Sequence, residues 1–157
     1  MRMRDLLTPE NTFHHVPGVN KKRLLEDIAE RITAIHSELN TDTVFESLLA
    51  RERLGSTGIG EGIALPHCRL DACTQPMALL ITLDEAIDFE ASDNQPVDIA
   101  FMLIVPNTDP EQHFNTLSYI ANLFGQSEYR KALRNAASAK ELFEQAVNSR
   151  IELELIS

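Results

Sequence analysis

The stretch "LGSTGIGEGIALPHCRL", Leu54–Leu70, places four glycines within eight positions, then a short apolar run, then a proline directly before a histidine. Glycine weakens strand interiors and is useful mainly where a backbone turns tightly or closely approaches another group. Pro66 has a fixed φ and favours extended backbone at Leu65. We therefore expect His67 at the end of a short strand, with its ring direction constrained by a stiff backbone.

Known glycine motifs do not account for this stretch. Gly55 to Gly60 has the spacing of a phosphate-binding P-loop, but Glu61-Gly62 follows where that motif needs Lys and then Ser or Thr. The dinucleotide-binding pattern G-x-G-x-x-G and the nucleophile elbow G-x-S-x-G are absent as well. A hairpin with Gly60-Glu61-Gly62 between two short strands would also explain the glycines.

Helical and strand-like patterns alternate around this stretch. Apolar residues at helical spacing predict a helix from Lys21 and a second one from Asn40 or Thr41 to about Arg53. Further elements are predicted as strands over 12–16, 62–65, 77–83 and 97–106, the last buried on both faces, and as a short helix over 129–135. The tail, 150–157, fits either a helix or an edge strand. Helices before and after a run of strands indicate an α/β sandwich with a mixed sheet.

Two helix starts can be read from capping residues. Asp109 is an N-cap with Pro110 in the first helical position and Gln112 completing a capping-box-like pair, and Gly125 is the stop of that helix. Ser138 and the glutamate three residues later form a second capping box. Both helices carry apolar faces that predict core positions rather than a cofactor site.

Composition limits the class of protein. A length of 157 residues fits one domain, 1–157, and the net charge of −10, from 24 acidic against 14 basic residues, disfavours nucleic-acid binding. The longest wholly apolar run, 99–105, is too short to span a bilayer, and residues 1–10 lack the apolar core of a signal peptide. Cys68 and Cys73 fit a reducing compartment and lack the paired spacing of a zinc site. We expect a cytoplasmic protein without cofactor, metal or membrane insertion.

His67 is a candidate nucleophile for phosphoryl transfer. A neutral imidazole nitrogen can attack a phosphoryl group and hold it as a labile N–P bond. Such transfer depends on positive charge and hydrogen-bond donors around the phosphate oxygens. Arg51, near the end of the second helix, has a planar guanidinium that suits those oxygens.

Further donors are expected on both sides of His67. Small residues in the turn at Ser56, Thr57 and Gly58 would let backbone amides approach a phosphate. His113 follows the Asp109 cap and so lies in the first turn of its helix, where the helix dipole favours an anion. The sequence thus predicts two histidines and one arginine around one phosphoryl group.

Two segments carry a family resemblance. "RERLGSTGIGEGIALPH", Arg51–His67, resembles the phosphorylation-site segment of the IIA domains of the bacterial phosphotransferase system, fructose/mannitol type. "PNTDPEQHFNTLSYIANLF", Pro106–Phe124, resembles the second-histidine segment of the same family. Two separate motifs in the right order cover nearly the whole chain, and the stand-alone domain is most similar to the nitrogen-regulatory branch.

The resemblance implies a mixed, roughly five-stranded sheet with helices on both faces. It implies that His67 accepts a phosphoryl group from the phosphohistidine of an HPr-like carrier, that Arg51 and His113 support it, and that Glu61 lies near the site. In the nitrogen branch the phosphorylation state is expected to regulate target proteins in nitrogen- and potassium-related processes. Two alternatives stay open: a sugar-transport IIA component that passes phosphoryl to a IIB domain, and an adaptor that keeps only the fold.

Overall fold

The computed structural model describes residues 1–151, so most of the tail prediction for 150–157 lies outside the described residues. Six strands and five helices make up the described part, with two short 3-10 turns at Met3–Asp5 and Pro9–Asn11. The strands are β1 (Thr12–Val16), β2 (Gly58–Gly60), β3 (Ile63–Ala64), β4 (His67–Leu70), β5 (Met77–Ile87) and β6 (Val97–Pro106). The helices are α1 (Lys21–Ile35), α2 (Thr41–Arg53), α3 (Pro110–Phe124), α4 (Ser127–Asn135) and α5 (Ala139–Val147).

The strands form one mixed sheet in the order β1-β5-β6-β3-β2, with β4 also paired to β6. Strands β3 and β4 both run parallel to β6 in the same register, with Ala64 opposite Ala100 and His67 opposite Leu103. Pro66 separates them because it has no N–H to donate, although its carbonyl still accepts from the Leu103 amide at 3.0 Å. The predicted mixed sheet is confirmed, and it has six strands rather than five because this proline divides one of them.

Side chains of β6 alternate between two apolar cores. Ala100, Met102 and Ile104 belong to the core that α1 and α2 cover. Their neighbours in the sequence, such as Phe101 and Leu103, belong to the opposite core, which α3, α4 and α5 cover. Helices therefore pack on both faces, as predicted, and β6 is buried on both sides.

Caps fix most helix ends where the sequence predicts them. The Asp109 carboxylate accepts from the Gln112 amide, and Gly125 is the C-cap of α3. Two details differ. Helix α4 begins at Ser127, two residues before the predicted Tyr129. The Ser138 hydroxyl accepts from the Glu141 amide, but the Glu141 carboxylate accepts from the amide of Ala137, so the reciprocal bond falls one residue earlier than a capping box requires. Within residues 1–151, no helix is both long and apolar enough to cross a membrane.

Candidate functional site

His67 is the first residue of β4 and follows directly on Pro66. Its side chain is half-buried, and Nδ1 lies 2.8 Å from the carbonyl oxygen of Leu65. A carbonyl only accepts, so Nδ1 carries the proton and Nε2 carries the lone pair. The stiff backbone at Pro66 and this local bond together fix the direction of the ring, and they make Nε2 the nucleophilic nitrogen.

Arg51 approaches His67 from the last turn of α2. Its Nε donates to His67 Nε2 at 3.2 Å, and its Nη1 donates to the carbonyl of Gly55 at 2.9 Å. The second bond anchors the guanidinium to the loop that follows the helix. Because Arg51 meets the imidazole nitrogen that bears the lone pair, it lies where the oxygens of a group bound to that nitrogen would be.

His113 lies on the other side, in the first turn of α3. Its ring centroid is 5.8 Å from that of His67, with 49° between the ring planes. His113 Nδ1 is buried and has no hydrogen-bond partner among the described residues, so Nε2 is the nitrogen available to a ligand. The structure therefore brings Arg51, His67 and His113 together around one point.

Burial sets the protonation state of both histidines. It is the main cause that lowers the pKa of His67, and the nearby Arg51 charge lowers that pKa further, against the Leu65 hydrogen bond and Glu52, which raise it. Burial also lowers the pKa of His113, and the charges of His67 and Arg69 act in the same direction. Both rings are thus neutral at pH 7, which is the nucleophilic form of an imidazole.

Glu61 is not brought to His67. It lies in the turn between β2 and β3, where its carboxylate faces Arg130 at 3.8 Å and its carbonyl accepts from Arg134. The adjacent Gly62 bonds to the amide of Asp98, five residues along β6 from the partner of His67. Five residues along a strand correspond to roughly 16 Å, so the turn that holds Glu61 lies well away from His67.

The glycines of this stretch build a hairpin. Strands β2 and β3 pair antiparallel, and Glu61 and Gly62 both have positive φ, 58° and 80°, as type I′ hairpin turns require. A Cβ at Gly58 would lie 2.7 Å from the Cβ of Ala91, so that position needs glycine for close packing. The hairpin alternative accounts for these glycines.

The turn at 56–58 uses its polar groups within the chain. The Thr57 amide donates to the Glu52 carboxylate at 3.0 Å, and the Gly58 amide donates to the Ser56 hydroxyl at 3.0 Å. The Ser56 hydroxyl in turn donates to the carbonyl of Phe89 at 2.9 Å. In this conformation the amides of Thr57 and Gly58 therefore hold the loop itself and do not point to a ligand.

Two further groups near the site escape sequence reasoning. Glu52 is buried and pairs with Lys21, and Arg69 is the charge that acts on His113 from β4. Strand alternation is the available signal for Arg69, because residues two apart in β4 lie on the same side as His67. Helical spacing is the signal for Glu52, because it follows Val44 and Leu48 at intervals of four residues and so lies on the buried face of α2.

Other reactive groups give no second centre. Burial raises the pKa of the Cys68 thiol to about 12, so this neighbour of His67 stays protonated. Among residues 1–151, no three His, Cys, Asp or Glu side chains are grouped to hold a metal ion. The chemistry that the arrangement offers is a neutral nitrogen nucleophile beside a guanidinium and a second imidazole, a set suited to a phosphoryl group.

A comparison with protein families agrees with this chemistry. The family model described as "Phosphoenolpyruvate-dependent sugar phosphotransferase system, EIIA 2" matches residues 5–148. The chain belongs to this family. Membership implies that this EIIA chain exchanges phosphoryl groups with phosphocarrier partners.

Similar proteins point to one branch of the EIIA family. The nitrogen regulatory protein of Pseudomonas aeruginosa is 43% identical over 148 residues, covering 94% of this chain and 96% of the relative. The crystal structure of nitrogen regulatory protein IIA-Ntr from Neisseria meningitidis has a TM-score of 0.86 at 34% identity and covers 92% of this chain and 98% of that one. IIA mannitol from Escherichia coli has a TM-score of 0.73 at 20% identity, covers 89% and 98%, and shows the shared fold alone. The relatives support a nitrogen-related role.

Proposed function

We propose that His67 accepts a phosphoryl group from the phosphohistidine of an HPr-like carrier protein. The observation that carries the proposal is the contact of Arg51 Nε with His67 Nε2 at 3.2 Å, on a ring whose other nitrogen is bonded to Leu65. One nitrogen is held as a donor, and the other is left as a nucleophile beside a fixed positive charge.

The transfer step needs no proton removed from His67. The Nε2 lone pair forms the new N–P bond while the N–P bond of the donor breaks, and that electron pair returns to the donor imidazole. The Nδ1 proton stays in its bond to Leu65 and stabilises the phosphorylated ring. Arg51 exchanges its contact with Nε2 for contacts with the phosphoryl oxygens, and His113 Nε2 supplies a further donor.

The surface around the site favours a protein as phosphoryl donor. Leu54 and Phe114 are 85% and 68% exposed, and each lies close in sequence to a site residue, Arg51 or His113. Exposed apolar side chains on both sides of a polar centre are typical of protein contact surfaces. A small phosphate donor would not need them.

We further propose that the phosphorylation state regulates partner proteins in nitrogen- and potassium-related processes. The similarity to nitrogen regulatory proteins supports this branch. A phosphoryl group adds nearly two negative charges to a centre that otherwise presents Arg51 and two neutral imidazoles. A partner that recognises the guanidinium would lose its contact, and one that recognises phosphate would gain one.

The test is a labelling assay with radioactive phosphoenolpyruvate, enzyme I and the carrier. We expect acid-labile, base-stable label on the wild-type chain only when the carrier is present, and none on His67→Ala. His36→Ala is the matched control, since His36 lies at the end of α1, and it should label fully. Full labelling of His67→Ala would contradict the proposal.

A second assay separates regulation from sugar transport. If a IIB domain of the fructose or mannitol type drains the label from His67 as fast as the carrier supplies it, the transport alternative holds. Retained label, together with different proteins captured by His67→Ala and His67→Asp, would support the regulatory function.

A further inference from the structure

A buried carboxylate lies next to Arg51 in the sequence and takes no part in the proposed transfer. The side chain of Glu52, in the last turn of α2, is only 2% exposed. Carboxylates are almost never buried unless they are paired. Glu52 accepts from both the amide and the hydroxyl of Thr57, and it lies 3.0 Å from Lys21 Nζ.

The two partner residues of Glu52 come from separate parts of the chain. Lys21 is the first residue of α1, and its ammonium also lies 4.6 Å from the centre of the Phe89 ring. The Phe89 carbonyl accepts from Ser56, which neighbours Thr57. Glu52 therefore joins the start of α1, the end of α2 and the loop 54–57 at one buried point.

That loop determines where the Arg51 guanidinium lies. Arg51 Nη1 donates to the carbonyl of Gly55, two residues before Thr57, while Arg51 Nε faces His67. An arginine side chain has high rotamer entropy, so a fixed carbonyl on the loop lowers the cost of holding it in the productive position. A loop that is free to shift would move this carbonyl and the guanidinium with it.

We propose that Glu52 is a positioning residue for phosphoryl transfer: through Thr57 and Lys21 it fixes the loop whose Gly55 carbonyl holds Arg51 against His67. This inference rests on the proposed function of His67. Glu52 touches neither the phosphoryl group nor the imidazole. Its charge raises the pKa of His67, and its positioning effect acts through Arg51.

The kinetic test compares Glu52→Gln with Glu46→Gln, a matched change at an exposed position of the same helix. Both proteins are titrated with phosphorylated carrier. We expect Glu52→Gln to lower kcat of transfer about tenfold, because small displacements of positioning groups have effects of this size or larger. KM for the carrier should stay unchanged, since Glu52 is not at the surface. Glu46→Gln should match the wild type in both constants.

A second measurement reads the position of Arg51 without any carrier. The NMR signal of the Arg51 Nε–H should be shifted and protected by its bond to His67 in the wild type and in Glu46→Gln. In Glu52→Gln it should move to the position of a free arginine. Because this readout needs no transfer, it separates a failure of the inference from a failure of the proposed function.

Thr57 provides a test that does not alter the buried charge. Thr57→Ser keeps the hydroxyl that Glu52 accepts from, and Thr57→Val removes it at nearly the same volume. We expect Thr57→Ser to keep kcat within about twofold of the wild type and to leave the Arg51 signal in its wild-type position. Thr57→Val should lower kcat and move the signal to the position of a free arginine. If Glu52→Gln does not fold, this pair decides the matter. Wild-type kcat and an unchanged Arg51 signal in folded Glu52→Gln, or in Thr57→Val, would overturn the inference.

Discussion

The two sides of the His67 site differ in how firmly they are held. On the α2 side, Arg51 has two hydrogen bonds, and the neighbouring Glu52 joins the loop to two helices. On the α3 side, His113 Nδ1 is buried without a hydrogen-bond partner among the described residues, and the ring meets His67 only as a tilted neighbour at 5.8 Å. The next residue, Phe114, is largely exposed.

This difference suggests different tasks for the two sides. The α2 side is already arranged in the free protein, so the nucleophile and its guanidinium need little reorganisation when a phosphoryl group arrives. On the α3 side, the buried Nδ1 of His113 has no hydrogen-bond partner among the described residues that would fix the ring. We therefore expect His113 to adjust to the phosphoryl group or to the donor protein, and to contribute less to the rate than Arg51.

The largest effect is expected from Arg51→Ala. Removing one fixed donor from a transition-state site commonly costs two orders of magnitude, so we expect transfer to slow about 100-fold while the label stays on His67. Arg51→Lys should recover only part of this loss, because a single ammonium lacks the planar fork with which Arg51 reaches the Gly55 carbonyl from one nitrogen and the phosphoryl group from another. The measurement is single-turnover transfer from the phosphorylated carrier.

Arg53→Ala is the control for this pair, since Arg53 is exposed in the same last turn of α2. It should transfer at the wild-type rate. A rate for Arg51→Ala equal to that of Arg53→Ala would mean that the α2 side is no better prepared than any charged helix end.

A smaller effect is expected from His113→Ala. The ring supplies one donor, from Nε2, and it is not held by a second bond, so we expect a loss of about tenfold in the same single-turnover assay. His36→Ala is the matched control. A loss as large as that of Arg51→Ala would contradict the comparison, because both sides would then contribute equally to the transition state.

The fold and the proximity of Arg51, His67 and His113 could be predicted from the sequence, whereas the hydrogen bonds within the site could not. Residue periodicity and local caps, such as Asp109 with Gly125, are encoded within a few positions, and they give β6 and α3 almost to the residue. The position of His113 follows from that cap. These features need only local sequence.

The missed features depend on contacts between distant residues. Helical spacing from Val44 and Leu48 puts Glu52 on the buried face of α2, but its partner Lys21 is thirty-one residues away, and local sequence does not show that pairing. The sequence predicts that the amides of the 56–58 turn face a phosphate, yet the Thr57 amide donates to Glu52 and the Gly58 amide donates to the Ser56 hydroxyl. Local composition does not show which of several partners a backbone amide will choose.

The smallest effect is a shift of two titrations, and it tests which charge acts on which side. Because burial lowers the folded-state pKa of His67 below 6.5, the unfolded chain takes up its proton first as the pH falls. The free energy of unfolding should therefore decrease as the pH drops below 6.5, while transfer stays constant from pH 8 to 6.5 and falls only below the lowered pKa.

NMR titration of the His67 ring should give a midpoint below 6.5. In Arg51→Ala that midpoint should move up toward 6.5, because a neighbouring positive charge has been removed, whereas Arg69→Ala should move the His113 midpoint up instead. A His67 midpoint at or above 6.5 would contradict the lowered pKa. A midpoint that responds to Arg69→Ala and not to Arg51→Ala would show that the α2 side does not hold its arginine against the nucleophile in solution.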